Sequence, residues 1–154
     1  MRPLPATLAA LVLGASPALA DSIWDHNGST VTLSASGSAR RLTYRAPHPA
    51  LASAGIRPGT VLFEGRRQGD VVSGTAYTFR ADCPPAPYPV RGVVRAETSL
   101  TLSGAAPVWA GRSCELAGLN PNSPHARLDF TYLGRAGAPA AGDRGGRKSG
   151  AGDL

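Results

Sequence analysis

The chain has 154 residues, 42 % of them hydrophobic and 17 % charged, with sixteen Lys and Arg against ten Asp and Glu and a formal net charge of +6. That length fits one domain of ordinary size. Two cysteines alone make no zinc site, no C-x-x-C suggests redox work, and the positive charge is spread rather than clustered, so a metal, a redox role and nucleic acid are not expected.

At the N-terminus, Met1-Arg2 supplies a positive charge and residues 4–15 form a short apolar run. Small residues at Ala18 and Ala20 then precede Asp21. This is the three-part layout of a secretory signal peptide, too short to serve as a transmembrane anchor. Residues 1–20 are read as that segment, and a periplasmic or secreted location follows. In an oxidising compartment an even cysteine count makes a Cys83–Cys114 disulfide the expectation.

Residues 21–29 (DSIWDHNGS) gather an aromatic ring, two carboxylates, a histidine and an Asn-Gly turn pair. Residues 29–35 then alternate, with Val31, Leu33 and Ala35 on one face. After a turn at Ser36-Gly37-Ser38, residues 39–45 return with Leu42 and Tyr44 inward and Arg41, Thr43 and Arg45 outward. Residues 46–58 hold Pro47, Pro49 and Pro58, which forbid a central strand and permit at most one helical turn. Residues 60–64 are β-branched and aromatic, residues 65–70 polar and turn-rich, and residues 71–79 a second strand, so this stretch reads as a hairpin.

The Pro-rich residues 83–89 are expected as a loop or an extended edge, followed by a strand over residues 89–95, a turn at Ala96-Glu97-Thr98 and an answering strand over 99–103. Residues 112–116 are predicted as a short strand holding Cys114, residues 118–124 as a turn-rich loop, and residues 127–133 as the closing strand. About eight short strands without helical periodicity give an all-β class, an antiparallel β-sandwich or small barrel, over residues 21–134. Residues 135–154 are Gly, Ala and charge, with nothing to bury, and are read as a disordered basic tail.

The segments SIWDHNGSTVTL, RRLTYRAP, GTVLFEG, SGTAYTF and LSGAAP resemble a family of small secreted bacterial proteins. Their shared pattern is S-x-W-x-H-N-G-S followed by a G-T-x-L-F-x-G and G-T-A-x-x-F hairpin. The likeness covers residues 22–132 and implies export and a common β fold, with no activity attached. It directs attention to Trp24, His26, Asn27 and Ser29. The family pattern has Arg after the proline of the second of these segments, where this chain has His48 after Pro47, so no role carries over there.

Three functions are compatible with these residues. The leading one is a non-enzymatic binding or interaction module of the cell envelope, without a cofactor, whose partner is a protein or an envelope polysaccharide; Trp24, His26 and Asn27 are its candidate contacts. A small hydrolase would need His26 oriented by Asp25 beside the hydroxyl of Ser29, yet no nucleophile-elbow motif accompanies them, so no catalytic residue is assigned. A polyanion-binding surface would use the outward Arg41, Arg45, Arg91 and Arg95, with the turn pair Arg66-Arg67 added to them. His26, His48 and His125 are isolated in sequence, and Asp82, Glu115 and Asp129 show no spacing that would pair two carboxylates.

Overall fold

The alternation of β-branched and aromatic residues with polar ones resolves into ten strands in a computed structural model that describes residues 21–137. The signal-peptide reading of residues 1–20 and the tail reading from 138 onward lie outside the described residues. In chain order the strands are β1 (Ser22–His26), β2 (Ser29–Ser36), β3 (Ala39–Ala46), β4 (Val61–Gln68), β5 (Val71–Thr78), β6 (Ala86–Arg95), β7 (Ser99–Ser103), β8 (Ala106–Trp109), β9 (Leu116–Asn120) and β10 (Arg127–Arg135). Eight of them close an antiparallel barrel in the order β1-β10-β7-β6-β5-β4-β3-β2, while β8 and β9 pair only with each other. Closure removes every open edge from the main sheet.

Between the two architectures foreseen, the barrel is therefore the correct one. Several local assignments change with it. The DSIWDHNGS cluster contains a strand, β1, and Asn27-Gly28 (φ 50° and 79°) make the tight left-handed turn into β2. Residues 65–68 are strand rather than loop, so the turn between β4 and β5 shrinks to Gly69-Asp70. Cys114 lies ahead of β9 instead of within a strand, and residues 118–120 belong to β9. The last barrel strand runs to Arg135, whose Cα pairs with that of Ser22.

Pro87 and Pro89 sit inside β6 because that half of the strand pairs only with β5; pairing with β7 begins at Arg91. In β4 an extra residue breaks the alternation. Leu42 of β3 faces Phe63 and Thr43 faces Val61, so Leu62 bulges and both Leu62 and Phe63 turn inward. That shift places Gly65 and Arg67, rather than Arg66, on the inner face.

Side chains fill the lumen at mid-height, where Val31, Leu42, Ala76, Leu102 and Phe130 are fully or almost fully buried. The two rims differ. At one rim the connections are short: Gly37-Ser38, Gly69-Asp70 and Ala96-Glu97-Thr98. At the other, residues 47–60 carry a 3-10 turn (Pro49–Ala54), residues 79–85 form a loop, and residues 104–126 carry the β8–β9 ribbon. These long connections push Ile56, Ala106 and Ala126 into the end of the core. The Cys83–Cys114 disulfide ties the loop to the ribbon, and the Arg80 guanidinium lies 5.0 Å over the Trp109 ring beside it. Among the described residues no helix is long and apolar enough to cross a membrane.

Candidate functional site

Two cavities occupy the ends of the lumen. The larger, of about 490 Å³, opens between the short turns. Its walls are Trp24, Leu33, Phe63, Val72, Val94, Leu100 and Tyr132, and its rim carries Ser22, Arg40, Arg67, Glu97, Thr98 and Arg135. The Trp24 indole donates to the Ser22 hydroxyl at 2.8 Å and packs edge-on to Tyr132, with ring centroids 5.4 Å apart. An aromatic wall fixed in this way offers apolar area at little further loss of side-chain freedom.

The rim holds the charge. The Arg67 guanidinium forks onto both Glu97 carboxylate oxygens, at 2.6 and 2.8 Å, and reaches Asp70 at 3.3 Å. The fork holds the Glu97 carboxyl below its ordinary range and keeps Arg67 firmly charged. Arg40 has no carboxylate partner among the described residues; its Nη1 donates to the carbonyls of Gly37 and Ala39, both at 2.8 Å. Partial burial, then the neighbouring Arg67, lower its proton affinity. Ala96 and Glu97 are left-handed (φ 49° and 56°) although neither is glycine. That conformation costs roughly 1–2 kcal/mol per residue, and the Arg67 fork helps hold the turn in place.

The smaller cavity, of about 230 Å³, lies at the opposite end and is lined in part by His26, Ser29, Tyr44, His48, Thr78 and His125. All three histidines thus border one space although they are far apart in sequence. Even so, among the described residues no three His, Cys, Asp or Glu side chains are placed to hold a metal ion. His26 is 6 % exposed and stacks on Phe130 at 4.6 Å. Its Nδ1 lies 2.9 Å from the Asp129 carbonyl oxygen; a carbonyl only accepts, so Nδ1 carries the proton. Burial lowers the His26 pKa, against weaker opposing effects of that hydrogen bond and of Asp25. Ser29, 1 % exposed, accepts from the His48 amide at 2.9 Å. Burial pushes the Tyr44 and Tyr88 phenols up to about 12, so both are neutral.

The sequence candidates are distributed unevenly over this geometry. Trp24 is in the large cavity; His26 and Ser29 are in the small one. Asp25, one residue from His26, points to the opposite face of β1 and does not orient the imidazole; no hydrogen bond joins His26 to Ser29 among the described residues. Asn27 is exposed in its turn. Arg41, Arg45, Arg91 and Arg95 all face solvent, Arg41 paired to Glu64 at 2.6 Å. They stand on β3 and β6, three strands apart around the barrel, so they form no single face. Asp129 is held by Arg127 and Thr101 on β10, while Asp82 and Glu115, both exposed, flank the two cysteines of the disulfide.

Arg40 and Glu97 are residues that sequence reasoning missed, and Arg67 was read as half of an outward turn pair with Arg66, whereas it lies in β4 at the cavity mouth. For Arg40 the signal was present, since it shares parity with Leu42 and Tyr44. For Arg67 it was hidden by the Leu62 bulge. Compared with protein-family models, with curated proteins and with solved structures, the chain matches none.

Proposed function

We propose that the protein is an exported, non-enzymatic binding module of the cell envelope that holds a small molecule with an apolar body in the larger cavity. The observation that carries this reading is the cavity itself. Its size is that of a small-molecule site, its walls are aromatic and aliphatic, and a few polar groups are confined to the mouth. The disulfide and the lack of a membrane-spanning helix among the described residues are consistent with export. The hydrolase reading lacks a nucleophile engaged by its base, because no hydrogen bond joins His26 to the Ser29 hydroxyl among the described residues. The polyanion reading lacks a contiguous basic face.

A titration with the uncharged dye N-phenylnaphthylamine tests the reading. Saturable binding at one site per chain, with fluorescence enhancement, is the expected result. Ala35→Trp, which places an indole in the cavity wall, should abolish it while the circular dichroism of the barrel is kept. Dye that does not bind, or that binds the Ala35→Trp protein equally well, refutes the proposal.

A further inference from the structure

Resting on that cavity reading, we infer that the ligand carries a single anionic head group, a carboxylate or sulfonate, received by Arg40 and Arg67, and that the Glu97 carboxylate stands where this head group goes. Three observations converge on it. First, among the described residues the charged side chains lining the mouth are Arg40, Arg67 and Arg135 against Glu97. Second, Arg40 directs only Nη1 to protein carbonyls, which leaves Nε and Nη2 without partners among the described residues at the edge of an apolar cavity. A guanidinium in such a place suits a planar or tetrahedral anion, since its fork donates two parallel charge-assisted bonds. Third, Arg67 already shows the geometry of such a complex, with both oxygens of one carboxylate in its fork.

Glu97 is suited to exchange. Its side chain is 70 % exposed, while that of Arg67 is only 22 % exposed. It stands on a turn whose two central residues, Ala96 and Glu97, are both left-handed and neither glycine. When a ligand's anion takes the Arg67 fork, Glu97 returns to water at little desolvation cost and its turn is free to relax. Arg67 never loses an anionic partner, and Arg40 gains one. The apolar body enters between Trp24 and Tyr132 and the opposite wall of Phe63 and Val72. The guanidinium contacts of Arg40 and Arg67 favour an amphipathic anion over a neutral molecule of the same body.

Two dyes that share an aromatic body separate the two ideas: anilinonaphthalene sulfonate and the uncharged N-phenylnaphthylamine. The sulfonate should bind at least about tenfold more tightly, the range expected of hydrogen bonds to a charged group. Arg40→Gln should remove most of that preference and leave the neutral dye unchanged. Glu97→Gln, which weakens the internal competitor, should tighten the sulfonate several-fold without affecting the neutral dye. Equal affinities, an Arg40→Gln protein that keeps its preference, or a Glu97→Gln protein with unchanged or weaker sulfonate binding overturns the inference while the cavity reading stands. Failure of both dyes overturns the cavity reading as well. Should Glu97→Gln disturb the barrel, seen as a loss of its far-ultraviolet spectrum, Arg40→Gln alone decides, since its guanidinium makes no ion pair among the described residues.

Discussion

Replacing His26 by Ala decides whether the small cavity is a structural or a chemical feature. The imidazole is 6 % exposed, stacked on Phe130 and bonded to the Asp129 carbonyl. Removing the donor leaves the carbonyl of a part-buried hydrogen bond without that partner, at about 1–2 kcal/mol. Removing the ring from a packed site costs roughly another 1–2 kcal/mol in lost contacts and residual void. The total, about 2–4 kcal/mol, corresponds to a fall in thermal midpoint of roughly 10 °C for a domain of this size. His26→Phe restores the stack without the donor and should recover about half of the loss. The pH dependence adds an independent check. Because burial depresses the folded pKa of His26 below 6.5, the unfolded chain takes up the proton more readily. Stability is therefore fully present above about 6.5 and declines as pH falls through the folded pKa. That decline should flatten in His26→Phe. Urea unfolding followed by circular dichroism measures all of this, and a His26→Ala midpoint equal to wild type within about 0.5 kcal/mol refutes the structural assignment.

Other outcomes follow from the same geometry. Alkylation of the protein without reductant should label no thiol. Reduction should cost about 3–4 kcal/mol in the loop-entropy picture for a separation of 31 residues, read as a lower unfolding midpoint. Gly65 and Gly74 face each other across β4 and β5, where a Cβ on Gly65 would collide with the Ser73 carbonyl and the Phe63 ring. Gly65→Ala should thus destabilise by more than about 2 kcal/mol, and an unchanged urea midpoint would count against the close approach. Arg41→Ala should shift stability by less than about 1 kcal/mol, because Arg41 and Glu64 are both largely exposed; a larger fall would mean that the pair does more than its solvent-screened geometry allows.

Strands whose apolar residues alternate without interruption were legible in the sequence. Val31 and Leu33 on β2, Leu42 and Tyr44 on β3, Leu100 and Leu102 on β7, and Leu128, Phe130 and Tyr132 on β10 all face the lumen side. The disulfide followed from the cysteine count and the expectation of an oxidising compartment. Strand β1 was not legible, because Trp24 and His26 share a five-residue strand with Ser22 and Asp25, and a buried histidine reads as polar until its carbonyl partner, 103 residues away, is known. The end of β4 was hidden for another reason. Gly65 and Gly69 around two arginines look like a turn, whereas Gly65 is small so that the Phe63 ring and the facing Gly74 can come close. Ring closure itself is a long-range property that local periodicity does not encode.

The charged mouth arises from the meander itself. In an up-and-down barrel every second connection returns to the same rim, so residues next to alternate turns meet however far apart they are in sequence. Arg40 follows the Gly37-Ser38 turn, Arg67 precedes Gly69-Asp70, and Glu97 is within the third of these turns. The other rim carries the Asn27-Gly28 turn and three long connections, and the long ones fold back to fill that end of the lumen with Ile56, Ala106 and Ala126. Short turns cannot plug theirs. One end of the barrel is therefore largely filled by its loops and keeps only the smaller cavity, and the other keeps the larger one and is guarded by charges. An inward arginine beside a short turn belongs to the mouth, and the same residue beside a long loop would have to be buried under it. Arg40 and Arg67 are tolerated on the inner face because their strands end there, within reach of water, of the Gly37 and Ala39 carbonyls, and of Glu97.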